Sequence, residues 1–387
     1  MQIDFAGVTF GEEERGAVKR VMDGTWLASG KENEGFEKEF ARYIGTKYAV
    51  CVNSGSSANL LAMASLDLPK GSKVLTSGCG FPATLTPIIH CGLEPVLVDY
   101  DLKTHNIDLA QVEENIADVS AIIFAHTLGS PVDMNVIMNL ANRHRVAVIE
   151  DCCEAVGAGY LNSKVGSLGT AGTFSFYPSH QMTALGMGGM VTTNNETLLH
   201  KLRSLRDWGK VSSWDSYLGY HTTKFEKDGF KYFPQYTYET CGYNFKLAEA
   251  NAAFGREQLK RLEGFRVARQ HNYDYLDDKL SDMEEILPNR IAAGADPCWF
   301  GYVLTLKHEK YNRNKFSDFL EENGIRTRPF FAGNITLHKP FLQFYKKLPV
   351  AEKLMRDSLF IGIWQGITEP QLDYISDKIH EYFDNWC

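Results

Sequence analysis

Residues 146–153 read VAVIEDCC, and the fold turns on how they are read. Four apolar residues run unbroken into two acids. A strand with one wet face alternates polar and apolar residues, so an unbroken run this short suits a strand buried on both faces. The same signature recurs in SKVLTSG (72–78), EPVLVDYD (94–101) and SAIIFAHTLG (120–129), with helical stretches such as VIMNLANRHR (136–145) between them. Strands alternating with helices predict an α/β fold with a mainly parallel central sheet covered by helices. In such sheets ligands gather at the carboxyl ends of the strands. Asp151 stands at such an end, where a buried carboxylate needs a charged or hydrogen-bonded partner. Capping of the next turn is the plainer alternative.

A chain of 387 residues is too long for one compact unit. The expected division is a large domain at 1–254 and a smaller α+β domain at 255–387. Helical periodicity resumes in AEANAAFGREQLKRLEGF (248–265) and the chain closes on the helix-like ITEPQLDYISDKIHEYF (367–383). Forty basic against forty-eight acidic residues give a net charge of −8, without basic patches, which argues against nucleic acid and anionic membranes as partners. No apolar run approaches the ~18 residues of a membrane span, and acids occupy the place of a signal peptide's apolar core. The eight cysteines (51, 79, 91, 152, 153, 241, 298, 387) are scattered and form no CxxC, as expected of reduced thiols in a cytoplasmic protein. Residues 209–242 are irregular and aromatic, the character of a functional or interface loop.

Other candidate groups also fall at strand ends. NSGSSANLLAM (53–63) follows the strand-like KYAVCV and opens a helix, so its backbone N–H groups and hydroxyls can face an anion. Gly55, Ser56 and Ser57 are the phosphate candidates, an ordinary serine-rich cap the alternative. Phe81, in CGFPATLTP (79–87), offers a flat ring for stacking, though a lone Phe is usually core. Glu154, three residues past Asp151, can reach the same pocket. FSFYPSHQMTALGMGG (174–189) begins as a strand, closes in a glycine-rich turn and leads into a second strand, MVTTN. It carries His180, which taken alone is a structural histidine more often than a reactive one.

In this order and spacing the segments resemble the DegT/StrS-type family of sugar-nucleotide aminotransferases and dehydratases, a fold-type I pyridoxal-phosphate family. Residues 11–61 resemble its amino-terminal signature through the phosphate loop, and FPAT (81–84) its cofactor-stacking segment. IEDCCEAVGA (149–158) resembles its pyridine-binding segment, and RDWG (206–209) with CGYNFKLAEANAAFG (241–255) its subunit-interface segment. The resemblance implies pyridoxal 5′-phosphate or pyridoxamine 5′-phosphate as cofactor. Phe81 would stack on the ring, Asp151 bind its nitrogen, Glu154 lie beside it, and Gly55, Ser56 or Ser57 with Ser175 hold the phosphate. Asn244 would reach the phosphate of a partner subunit, which implies a homodimer with shared sites.

His180 stands where the family keeps its cofactor-binding lysine. That replacement marks the family's 3-dehydratases, which remove the C3 hydroxyl of nucleotide-linked 4-keto-6-deoxy sugars. WFGYVLTLK (299–307), GIRTRPFFAGN (324–334) and LFIGIWQ (359–365) are similar to the subgroup acting on GDP-4-keto-6-deoxy-mannose, which implies deoxysugar biosynthesis for lipopolysaccharide O-antigen. Arg326 and Arg328 are candidates for the diphosphate and Asn334 for the substrate. Two departures stand out: the turn after His180 is one residue longer than the family's, and Met187 replaces a common Glu.

A lysine would capture the aldehyde form of the cofactor and shuttle a proton toward transamination. Histidine cannot capture it, so the cofactor would be held non-covalently, with the imidazole as acid and base. L-Glutamate is the expected amino donor. One branch of the family uses an iron–sulfur cluster instead, which needs four thiolates brought together. Only Cys241 lies in the segment where that branch places its cysteines, so no cluster is expected. Two alternatives stay open: an aminotransferase-like enzyme with an altered base, and a cofactor-binding relative without catalysis.

Overall fold

A computed structural model describes residues 1–211, 225–233 and 236–385. Seven strands form the central sheet, in the order 48–52, 189–193, 171–175, 147–151, 121–125, 73–77, 94–98. Strands 171–175, 147–151, 121–125, 73–77 and 94–98 pair in parallel. Strand 189–193 runs antiparallel to both its neighbours, 48–52 and 171–175. Six strands therefore point one way, and Val52, Ser77, Val98, Ala125, Asp151 and Ser175 end on one edge.

Alternate residues of each central strand enter different cores, which explains the unbroken apolar runs. Val148, Ile122 and Phe124 pack in one cluster with Phe36 and Phe40; Ile149, Ala121 and Ile123 pack in the other with Leu61 and Leu202. Both faces are covered, and each fully buried Ile or Phe contributes roughly 1.5–3 kcal/mol by leaving water.

A second lobe holds the antiparallel strands 301–305, 358–362 and 327–329 against helices Arg313–Glu322 and Glu369–Asp384, around Leu304, Phe316, Ile361 and Leu372. The division expected at 254/255 falls inside one continuous helix, Glu249–Lys279. Periodicity resumes there without a break in the chain, so a helix and not a linker joins the lobes. The amino terminus also leaves the large lobe: Ile3 bridges Ile325 and packs in the second core. Of the aromatic stretch 209–242, residues 212–224 and 234–235 lie outside the described residues; Phe225–Lys227 and Phe230–Tyr232 form a hairpin. Among the described residues no helix is long and apolar enough to cross a membrane.

The lobes are also laced by backbone. Cys298 N donates to Gly129 O at 3.0 Å and Phe300 N to Leu128 O at 2.8 Å. Gly129 has φ +88°, and a Cβ there would lie 2.0 Å from the Cys298 oxygen. Gly129→Ala is expected to cost about 2–4 kcal/mol through strain and lost lacing. Gly264→Ala, on an open helix face with nothing nearby, is expected to be neutral or slightly stabilising. Unfolding midpoints in urea check the pair.

Candidate active site

Asp151 ends its strand at 4% exposure. Its Oδ2 accepts from Asn59 Nδ2 at 2.8 Å and from Thr84 Oγ1 at 2.7 Å, and its Oδ1 from Cys153 N at 3.1 Å. Thr173, its neighbour in register, donates to Asn59 Oδ1 and so fixes which end of that amide faces the carboxylate. All these partners are neutral. A buried carboxylate with neutral donors alone is well oriented but still short of a counter-charge, which a protonated ring nitrogen would supply.

Helix Gly55–Ser65 starts beside it. Ser54 caps it, accepting from Ser57 N at 3.1 Å and donating to Ser57 Oγ at 3.0 Å. A Cβ on Gly55 would sit 2.5 Å from Ser175 Cβ and 2.8 Å from Cys153 Sγ. Only glycine brings the helix start this close to the end of strand 171–175. The result is a cradle of first-turn N–H groups and hydroxyls, with Ser56 exposed and Ser175 buried, suited to a phosphate. Phe81 precedes the helix whose Thr84 holds Asp151, and its ring is 59% exposed, open for stacking.

The turn carrying His180 closes on itself: Ala184 N donates to Phe176 O at 3.2 Å and Asn251 Nδ2 to Ala184 O at 2.6 Å. Met187, in place of the acid, is exposed. The imidazole lies 5.3 Å from the Phe300 ring and 6.3 Å from that of Tyr177, centroid to centroid. Its Nδ1 is buried, with no hydrogen-bond partner among the described residues. Burial pushes its pKa down to about 3, aided by the Arg269 charge, so the ring is neutral at physiological pH. Glu154 accepts from Leu128 N at 2.9 Å, and burial pushes its carboxyl up to about 8, with Asp151 adding to the rise. Gln181 ties the two segments, donating from Nε2 to Glu154 O and, at 2.8 Å, to Cys298 O.

A cleft of about 500 Å3 opens one residue from His180, lined by Phe5, Gly7, Tyr177, Ser179, Arg326 and Arg328 among others. Arg328 lies 4.8 Å over the Phe5 ring, and Arg326 pairs with Glu321 at 2.7 Å. Asn334 is a correction. Its side chain is fully buried and spent inside the protein, on Lys346 O at 3.0 Å, Glu352 Oε1 at 3.1 Å and Thr336 Oγ1 at 2.7 Å. It shapes the loop that bridges Cys79 and cannot reach a ligand. Asn244 is exposed and bridges Asp207.

Among the described residues one group has metal-ligand character, His126, Glu150 and Cys152. It is a staple: Glu150 accepts from Gly166 N, Leu168 N and Gly169 N, while His126 Nδ1 accepts from Val132 N.

The gathered side chains, an orientated carboxylate, an anion cradle, an open ring and an unspent imidazole, fit a phosphorylated pyridine cofactor. Residues 8–380 match the model of the DegT/DnrJ/EryC1/StrS aminotransferase family. The chain belongs to that family. It is 38% identical to the lipopolysaccharide biosynthesis protein RfbH of Salmonella typhimurium, over 95% of this chain and 88% of that one. It is 35% identical to the dTDP-4-dehydro-2,6-dideoxy-D-glucose 3-dehydratase of Saccharopolyspora spinosa, over 97% and 86%. The fold matches structures of GDP-4-keto-6-deoxymannose 3-dehydratase at TM-score 0.89 and 28–29% identity, covering 97–98% of this chain and 99–100% of theirs. Those structures hold hydrated pyridoxal phosphate, GDP-perosamine in a His-to-Asn variant, and a trapped glutamate adduct of the cofactor.

Within the family's framework the sequence reading missed Ser54, Asn59, Thr84 and Gln181. Asn59 lies one turn after Gly55 and Thr84 one turn into its own helix, so helical spacing from the two motifs would have found them.

Burial of Glu154 has a consequence for pH. Its folded pKa lies above the ordinary carboxyl value, so the folded chain holds a proton there between about 4.5 and 8, and loses stability as pH rises through that window. Compared with Glu154→Gln, the unliganded protein should match at pH 5 and melt lower at pH 9. Paired thermal unfolding at the two pH values reads this directly.

Proposed function

We propose that this chain removes the C3 hydroxyl of a nucleotide-linked 4-keto-6-deoxy hexose, with GDP-4-keto-6-deoxy-mannose as the first substrate to assay. Bound pyridoxamine phosphate would supply the amine that takes up the 4-keto group and the ring that accepts electrons. Asp151 keeps the ring nitrogen protonated, Phe81 stacks on the ring, and the Gly55–Ser57 turn with Ser175 holds the phosphate. His180 takes a proton at the reactive carbon and returns it to the departing C3 hydroxyl. Arg326 and Arg328 face the diphosphate across the cleft, each needing to exchange a present contact for it. L-Glutamate would be the amino donor at the same site. The reading takes the enzyme as a cytoplasmic homodimer in which Asn244 serves the partner's phosphate cradle.

One observation supports the proposal: His180, which the resemblance aligns with the family's lysine, keeps a buried nitrogen without a hydrogen-bond partner among the described residues. The neutral form is the one that accepts a proton, while burial in the unliganded chain works against charging it. The relatives support loss of the C3 hydroxyl more than a particular nucleotide, since the dTDP and GDP names share that chemistry. An aminotransferase reading draws on other members of the family, whose fold matches equally well, and differs in its products.

Incubation with pyridoxamine phosphate, L-glutamate and a panel of GDP- and dTDP-linked 4-keto-6-deoxy sugars should release ammonia, 2-oxoglutarate and a 3-deoxy sugar. An amino sugar without ammonia would identify an aminotransferase instead. His180→Asn should still bind the cofactor and lose turnover by at least ~100-fold, within the range of an acid–base group; retained turnover would refute the assignment.

The donor half of the reaction is read as free of iron. Cys241 is exposed, whereas burial raises the thiol pKa of Cys152 and Cys153 well above its ordinary value, against thiolate formation. Anaerobically purified protein should contain no stoichiometric iron by elemental analysis. Two irons per chain would overturn this part.

A further inference from the structure

Helix Glu249–Lys279 buries a stripe at helical spacing that includes Gln258, Leu262, Phe265, Arg269, Asn272 and Leu276. One member is a cation. Arg269 is fully buried, and all its hydrogen-bond partners are uncharged: Nη2 donates to His180 O at 3.2 Å, Nη1 to Trp299 O at 3.1 Å, and Nε to Gln365 Oε1 at 3.1 Å. No ion pair to Arg269 occurs among the described residues. Burying an unpaired cation is expensive, and an apolar residue would fill this stripe at lower cost. The stripe alone does not account for it.

Its partners do. A guanidinium is planar and presents its donors in a fixed fork. Two prongs grip the carbonyl of His180 and the carbonyl just before Phe300. Those residues supply the imidazole and the ring 5.3 Å from it. The third donor reaches Gln365, at the end of the segment that follows strand 358–362. Gln181 adds a parallel tie from the residue after His180 to the residue before Trp299. One rigid group thus sets the spacing between the imidazole and its aromatic wall, and joins that spacing to the second lobe.

We propose that Arg269 is the positioning residue of the site: it fixes where His180 stands through the backbone, without touching substrate or cofactor. The proposal rests on the acid–base role given to His180 above. Its positive charge adds a bias against protonation of the imidazole, in the same direction as burial.

The test uses histidine-labelled protein, with the His180 ring signal identified by its loss in His180→Asn. In folded Arg269→Lys and Arg269→Met, that signal should shift or broaden. kcat should fall about 10-fold and about 100-fold respectively, the scale of a small misplacement, while KM stays within about threefold because substrate contacts are intact. Gln365→Ala leaves the arginine in place and frees Nε; it should move the signal less and cost a few-fold in kcat. It carries the test if both arginine variants fail to fold. A merely structural arginine would lower the melting temperature only. An unmoved His180 signal, or an undiminished kcat in a folded variant, overturns the proposal. Full turnover in His180→Asn overturns the acid–base reading instead, whatever the arginine variants show, so the two failures are distinguishable.

Discussion

The His180 ring is packed between aromatic neighbours, half-buried, and its carbonyl is gripped by a buried guanidinium. In those surroundings a charged imidazole is costly, so the ring stays neutral, with one nitrogen unspent among the described residues. The rest of the site is consistent with this constraint. Among the described residues no acid pairs with His180, and the nearby carboxyl of Glu154 is itself pushed toward its protonated form. The fixed anion, Asp151, is held on the other segment by neutral donors.

The sheet is what brings these groups together. Strand-end residues far apart in sequence meet because six strands run the same way and finish on one edge. The single antiparallel strand, 189–193, returns the chain from the His180 turn beside the phosphate cradle: Ser54 bridges Gly188. A Cβ on Gly189 would also lie 2.3 Å from Ser54 O, so the paired glycines let the turn pass close to the helix start. The turn is tied to the long helix by Asn251, whose amide reaches Ala184 O.

Much of this was legible in the sequence because the informative signals are local. Unbroken apolar runs gave the strands, and small residues at a strand end marked the cradle. What was misread or missed depends on distant contacts. Asn334 stood in a segment similar to the 3-dehydratases, but its side chain turns inward to Thr336 and Glu352. The 254/255 division falls inside a helix that starts before it and runs on. Arg269 is 89 residues from His180 in sequence, and only a charge in an apolar helical stripe hinted at it. Asn244 is exposed and bridges Asp207, and the role proposed for it needs a second chain.

The claim at the centre is an imidazole facing a cofactor that no side chain has captured. Borohydride reduction of the protein loaded with pyridoxal phosphate, followed by peptide mass spectrometry, examines it most directly. The wild-type chain should carry no cofactor on any lysine, and His180→Lys should carry it on the peptide containing position 180. A reduced adduct on a wild-type lysine, or none at position 180 in the variant, would contradict the account.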